Sequence, residues 1–221
     1  RCTNALLEHA GSPPVLFVTT GFPDFLEIGD QRRTGLFDLV PRKRASLEGL
    51  VVEVEERIDR DGEIIRSPDH IAVLSAAKEA LANGHRSATV SFKNSFLNDS
   101  NERAVASILR EAGFDFVVGS AATHPFPKWL PRCESSVIES YLSPVLHQYL
   151  NSVGRGMGDG GELLVMSSAG GLIDPGGYRA IDSLLSGPAG GVVGAGETAR
   201  AAGIKEFINL DMGGTSSDVS R

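Results

Sequence analysis

Between Val15 and Val118 the chain alternates short apolar runs with longer amphipathic ones, and no other feature limits its fold as strongly. Val15 to Thr19 is continuously apolar and too short for a helix, the pattern of a strand buried on both faces in a parallel sheet. Ser67-Pro68-Asp69 opens a helix with an apolar face of Ile71, Leu74, Ala77, Ala80 and Leu81, and Asn83-Gly84 ends it. Ala88 to Phe92 is the next strand. Asp99 as N-cap, with Glu102 three residues on, predicts a capping box before a helix whose buried stripe is Val105, Ile108, Leu109 and Ala112. Gly113 closes that helix before a strand over Phe114 to Val118. Such alternation favours parallel crossovers, and the class is α/β. Leu50 to Ile58, alternating with period two in its later part, turns through Asp59-Arg60-Asp61-Gly62-Glu63 to Ile64-Ile65 as an antiparallel hairpin. The expected sheet is therefore mixed, with flanking helices.

The second informative stretch is the end of the chain. An apolar strand, Phe207 to Leu210, delivers Asp211-Met212-Gly213-Gly214-Thr215-Ser216-Ser217-Asp218 before Val219 resumes the strand pattern. Gly213 and Gly214 let backbone N–H groups approach a ligand closely, and the hydroxyls of Thr215 and Ser216 can converge on the same phosphate oxygens. Asp211 and Asp218 then face a metal. Magnesium keeps several waters and is held by one or two carboxylates plus the phosphates, which suits acids flanking a glycine turn. Upstream, Ser186-Gly187-Pro188 starts a helix rich in glycine, including Gly190, Gly191, Gly194 and Gly196. Each costs about 1 kcal/mol against Ala in a helix, a cost that makes sense where a backbone or nucleotide must come near, so Gly187 and Gly190 join the cofactor candidates. Thr19-Thr20-Gly21-Phe22 lies at a strand's carboxyl end, where ligands gather in open α/β sheets, and the loop after it offers Asp24, Glu27, Gln31 and Arg33 as substrate-side residues.

Other chemistries are excluded by pattern. Gly156, Gly158 and Gly161 spell a G-x-G-x-x-G, but after a helix and before the strand Leu163 to Ser167, the wrong order for a dinucleotide fingerprint; Gly154 to Gly161 reads as a flexible loop. There is neither a P-loop string nor a G-x-S-x-G elbow, and Ser167-Ser168-Ala169-Gly170-Gly171 reads as a turn. His70, His85, His124 and His147 lack metal spacing. Val137, Ile138, Tyr141, Leu142, Val145, Leu146, Tyr149 and Leu150 form a core stripe of one helix, with Pro144 expected to kink it. The net charge of -7 argues against nucleic-acid and anionic-membrane partners. Cys2 and Cys133 are too few for a disulfide framework, and the expectation is free thiols in a reducing cytoplasm. No run reaches the roughly 20 apolar residues of a membrane span.

The Asp211 to Asp218 string resembles the second phosphate loop of the acetate and sugar kinase, heat-shock chaperone and actin superfamily, and within it the hydantoinase A / 5-oxoprolinase family. Cys2-Thr3-Asn4-Ala5-Leu6-Leu7-Glu8, Val18 to Arg33, Leu36-Phe37-Asp38-Leu39 and Leu185 to Ala195 look like that family's segments in the same order. The resemblance implies a fragment of a ribonuclease H-like, actin-type ATPase fold that uses ATP and magnesium. It implies three parts: residues 1–66, the end of an N-terminal domain with its hairpin; 67–130, an α/β subdomain; and 131–221, the start of the hydantoinase A domain. The implied activity is ATP-dependent phosphorylation of a cyclic amide of hydantoin or 5-oxoproline type before ring opening, completed by a hydantoinase B-type subunit or domain. A related ketone carboxylase subunit and a non-catalytic nucleotide switch are the alternatives. Asn101-Glu102 stands where relatives carry His-Glu, and Leu130-Pro131-Arg132-Cys133-Glu134-Ser135 where they carry Tyr-Glu-Arg-Thr-Ser-Thr, which keeps Arg132 as a substrate-side candidate but leaves the substrate open. The chain opens on Arg1 and stops at Arg221, just past its best motif, as a piece of a longer protein would. The other phosphate loop of the family would precede Arg1, so the piece alone is expected to fold at least partly without hydrolysing ATP.

Overall fold

A six-residue helix, α1 (Cys2–Leu7), leads into β1 (Val15–Thr19), all five of whose residues are buried as the apolar run predicts. The computed structural model describes residues 1–30, 35, 37, 39, 46–157, 161–213 and 217–221. They fall into two units, one of Gly11–Pro144 and one of Arg1–Ala10 with Val145–Arg221.

In the Gly11–Pro144 unit, a short helix α2 (Phe25–Ile28) follows β1, and β2 (Leu50–Val54) lies parallel to β1 with Val15 opposite Leu50 and Thr19 opposite Val54. The run from Leu50 to Ile58 is two strands and not one. It breaks at Glu55-Glu56, and only β3 (Arg57–Ile58) turns back as a hairpin onto β4 (Ile64–Arg66). The parallel neighbour β1 takes the first half, which leaves only the second for the hairpin.

Helix α3 (His70–Ala82) starts where Asp69 caps it, its Oδ1 accepting from the N–H groups of Ile71 and Ala72 at 2.7 and 3.1 Å. Its buried side is Val73, Ala77 and Ala80; Ile71, expected in the stripe, is 78% exposed in the first turn. β5 (Ser87–Ser91) runs parallel to β1. Then come α4 (Ser100–Ala112), β6 (Phe116–Gly119) parallel to β5, α5 (Ser120–Thr123) and the long α6 (Trp129–Met157), which contains Pro144. The sheet order is β2-β1-β5-β6. Gly113 ends α4 at φ +110°, a left-handed conformation that strains any residue with a Cβ.

Alternation along β1 fixes the layers. Val15 and Phe17 join Ala88 and Val90 in a core with Val73, Ala77 and Ala80 of α3 and Val105, Ile108 and Leu109 of α4. Leu16 and Val18 point to the opposite side and pack with Cys133 and Val137 of α6. The sheet is therefore covered on both faces, which is why β1 has no polar phase.

In the second unit, β7 (Val165–Met166) and β8 (Leu172–Ile173) form a two-residue ladder around the turn at Gly170, a shorter strand than Leu163 to Ser167 predicts. Gly154 to Met157 belong to α6 and not to a loop; Gly158, Asp159 and Gly160 of that predicted loop lie outside the described residues. Helix α7 (Ser186–Ala201) begins at the predicted Ser186, and β9 (Asn209–Met212) pairs antiparallel with β10 (Ser217–Ser220). The apolar run into that hairpin is not buried here: Ile208, Leu210, Met212 and Val219 are 65–77% exposed, since α7 lies against β9 on the alternate phase. Among the described residues no helix is long and apolar enough to cross a membrane.

Candidate functional site

Among the described residues, two places bring chemistry-bearing side chains together, one in each unit. The first is the terminal hairpin. Asp211 and Asp218 are Cα partners across the β9–β10 ladder, so both carboxylates rise from one face. Like charges directly opposite destabilise a bare hairpin, and a cation between them reverses that sign. Asn209 and Ser220 share the face, with Nδ2 and Oγ 3.5 Å apart. Helix α7 approaches the same face at Gly191, where an added Cβ would sit 3.4 Å from Asp211 Oδ2 and 3.7 Å from Asn209 Nδ2. At Gly190, one residue earlier, an added Cβ would face β7 instead, 3.5 Å from Met166 Cγ, and the space around Gly187 in the first turn is open. Gly213 is exposed at the start of the turn; Gly214, Thr215 and Ser216 lie outside the described residues. Two exposed or half-exposed carboxylates on one face fit a magnesium ion that keeps most of its waters. Among the described residues there is no group of three or more His, Cys, Asp or Glu poised for a metal.

The second place is the carboxyl edge of the parallel sheet. Thr19 at the end of β1 donates its hydroxyl proton to Glu56 Oε1, and Asn101 Nδ2 donates to Glu56 Oε2 at 2.9 Å. Thr19 Oγ1 also accepts from the Lys93 N–H at 3.0 Å, which ties the loop after β5 to the end of β1. Glu102 does not close a capping box. It turns inward, where Oε1 accepts from the Phe92 N–H and the Ser120 hydroxyl and Oε2 from the Ala121 N–H, at 2.9, 2.5 and 2.9 Å. Asp99 makes no side-chain cap. Burial pushes the carboxyl pKa of Glu56 up, with the hydrogen bonds of Thr19 and Asn101 and the charge of Arg57 opposing it and that of Glu102 adding to it. Burial likewise raises Glu102, against its hydrogen bonds from Ser120, Ala121 and Phe92.

Arg132 is wholly buried beside them. Its Nε donates to Ser120 Oγ at 3.0 Å, Nη1 to the Phe126 carbonyl at 2.6 Å, and Nη2 to the Phe92 carbonyl at 2.8 Å and Ser95 Oγ at 3.1 Å. Ser120 thus bridges Arg132 to Glu102. With its donors engaged by protein, Arg132 holds the loops after β5 and β6 in place. Cys133, the next residue, is buried and free, its thiol pushed up to about 12 by burial, so it is inert as a nucleophile.

Of the other substrate-side candidates, Asp24 occupies the N-cap position of α2 without a side-chain cap and is exposed, and Glu27 is exposed in the same helix; Gln31 and Arg33 lie outside the described residues. Glu56 escaped sequence reasoning, although a signal exists. Val54, Glu56 and Ile58 share one phase and are all buried, so an acid stands where alternation calls for an inward apolar residue. Arg132 shows the same sign, lying on the buried phase of α6 with Cys133, Ser136 and Val137.

The chain superposes on parts of two α/β enzymes whose own chemistry uses ATP. One is acetone carboxylase in its nucleotide-free structure, with a TM-score of 0.80 and 25% identity over 99% of this chain and 33% of that one. Another is the ATP-dependent caprolactamase from Pseudomonas jessenii, with a TM-score of 0.81 and 27% identity over the same shares. Residues 1–113 match the model of the hydantoinase/oxoprolinase N-terminal region and residues 132–221 that of hydantoinase/oxoprolinase, and the chain belongs to this family. The 5-oxoprolinase of Saccharomyces cerevisiae is 37% identical over 249 residues, covering 99% of this chain and 19% of the yeast protein. The chain spans about a fifth of the length of that relative and a third of each of the two enzymes.

Proposed function

We propose that this chain is part of an ATP-dependent hydrolase that activates a cyclic amide of the hydantoin or 5-oxoproline type by phosphorylation before its ring is opened. The observation that carries this reading is the pairing of Asp211 with Asp218 in a chain whose relatives include a 5-oxoprolinase and an ATP-dependent caprolactamase. When bound, ATP with magnesium supplies the phosphoryl group for the amide oxygen. The residues of this chain bind and orient: Asp211 and Asp218 would hold the metal, and Gly213, Gly214, Thr215 and Ser216 would take the phosphate oxygens. Gly187 and Gly190 let the start of α7 come close, and the helix N-terminus favours the anion. Asp24, Glu27, Gln31 and Arg33 lie on the substrate side, with Arg132 acting as a positioning residue through the loops it ties down. A hydantoinase B-type subunit or domain completes the reaction. The likeness to acetone carboxylase supports a second reading, ATP-dependent activation of a ketone for carboxylation.

The test is ATP turnover by the full-length protein with its partner, offered 5-oxoproline, hydantoins and small ketones in turn. Stimulation by a cyclic amide is expected; stimulation by ketones alone selects the carboxylase reading, and stimulation by a protein partner alone selects a nucleotide switch. Asp211→Ala should lower kcat on the order of 100-fold or more while leaving the melting temperature unchanged, because an exposed acid on a hairpin is not packing. Wild-type turnover in that variant removes Asp211 from the site.

A further inference from the structure

Among the described residues, Thr20, Glu55, Glu56, Arg57, Ile65 and Arg66 line a recess of about 280 Å³ at the carboxyl edge of the parallel sheet, room enough for one small ring. Thr20 lies between β1 and the short helix that bears Glu27, so the recess sits at the root of the substrate-side loop. Two acids line it, and they differ. Glu55 is exposed and paired with Arg66 at 2.8 Å. Glu56 is buried, and its carboxylate is clamped at both oxygens, by the Thr19 hydroxyl on Oε1 and by Asn101 Nδ2 on Oε2 at 2.9 Å. The clamps are fixed in turn: Asn101 Nδ2 also donates to the Arg66 carbonyl at 3.0 Å, and Thr19 Oγ1 accepts from the Lys93 N–H. A carboxylate has about four acceptor positions, so two stay open after both clamps are made. Glu102, the other buried acid nearby, is taken up by Phe92, Ser120 and Ala121 and has no place in the lining.

Phosphorylating a secondary amide on its oxygen releases a proton. The oxygen bonds to the γ-phosphorus of ATP as the bond to ADP breaks, the C–N bond becomes double, and the N–H proton must leave for the nitrogen to end uncharged. A base held beside that nitrogen speeds the step. We propose that the recess takes the amide edge of the substrate ring and that Glu56 is the catalytic base, accepting a hydrogen bond from the ring N–H and taking its proton as the oxygen is phosphorylated. Ile65 offers the ring methylenes an apolar contact. The groups around Glu56 tune it: burial and the charge of Glu102 favour its proton-bearing form, whereas Thr19, Asn101 and Arg57 favour the carboxylate. With burial prevailing, it holds a proton more firmly than an exposed glutamate does, which suits a base working near neutrality. The assignment deepens the function proposed above and rests on it for the phosphoryl transfer.

The experiment compares full-length wild type, Glu56→Gln and Glu56→Asp, each with its partner and each shown by a cooperative melting transition to be folded. Calorimetric titration with L-5-oxoproline and with N-methyl-L-5-oxoproline, which has no N–H to give, is set beside lactam-stimulated ATP turnover followed against pH. Wild type should bind 5-oxoproline roughly tenfold or more tightly than the N-methyl compound, and Glu56→Gln should lose that preference. In Glu56→Gln, kcat should fall on the order of 100-fold or more with KM for ATP unchanged, and the acidic limb of the wild-type kcat/KM profile should vanish. Glu56→Asp, which keeps a carboxylate, should recover part of the rate. A purely structural role for Glu56 would weaken both compounds alike and leave the acidic limb in place. Preference and acidic limb that both persist in Glu56→Gln overturn the base, while lactam-stimulated turnover by wild type keeps the hydrolase reading. Equal binding of the two compounds by wild type overturns the N–H contact with no variant needed. Binding of neither compound, or no stimulation of wild-type turnover by any lactam, removes the hydrolase reading and the base with it.

Discussion

Glu56 shows how one buried acid couples this fold to pH. It is 2% exposed, hydrogen-bonded at both oxygens, and raised by burial above its ordinary 4.5. A carboxyl whose pKa is higher folded than unfolded contributes stability that is fully present below 4.5 and is lost as pH rises through the folded value. Each pKa unit of elevation corresponds to about 1.4 kcal/mol. Glu56→Gln removes this titration, so the stability of the variant relative to wild type should rise between pH 4.5 and neutrality, with the groups around it, Arg57 and Glu102, still in place. Urea unfolding at a series of pH values measures it, and a difference that stays flat across that range means Glu56 is not raised. Glu102, raised for the same reason, adds a slope of the same sign in both proteins.

At the scale of elements, the contact between α7 and β9 sets where the Asp211 carboxylate points. An Ala methyl at position 191 would meet Asp211 Oδ2 at 3.4 Å, an ordinary contact, and Ala suits a helix interior better than Gly by about 1 kcal/mol. Gly191→Ala should therefore keep ATP turnover in the full-length protein and unfold no more easily. Val at the same position adds two methyls beside Asp211 Oδ2 and Asn209 Nδ2, and if they displace the carboxylate turnover should fall roughly tenfold to a hundredfold, as small misplacements of reacting groups do. Steady-state kinetics with a melting curve for each variant decide it. Equal activity in Gly191→Val and Gly191→Ala would show that α7 does not position the acid.

For the whole molecule, the two units differ in how much of themselves they bury. Gly11–Pro144 has a core on each face of its sheet, whereas the other unit leaves Leu164, Leu172, Leu185, Ile208, Leu210, Met212 and Val219 exposed. Residues 11–144 expressed alone should accordingly unfold cooperatively with heat and give dispersed amide resonances; a broad transition with collapsed spectra would show that the sheet needs the rest of the chain. Local pattern sufficed for the class of fold. The buried phase of β1, the stop of α4 at Gly113, the start of α7 at Ser186 and the terminal hairpin with its two facing acids were all legible, because each depends on a few neighbouring residues whose propensity and periodicity agree; α3 starts later than Pro68 suggests, at His70 after the Asp69 cap. Tertiary structure alone decided that Leu50–Val54 joins the parallel sheet, that Glu102 abandons its cap for Phe92, Ser120 and Ala121, and that Arg132 is spent on carbonyls and hydroxyls far away in sequence. A strand's partner and the fate of a buried charge depend on which groups the completed fold brings within hydrogen-bond reach, and a charge taken out of water goes to whichever of them satisfies it.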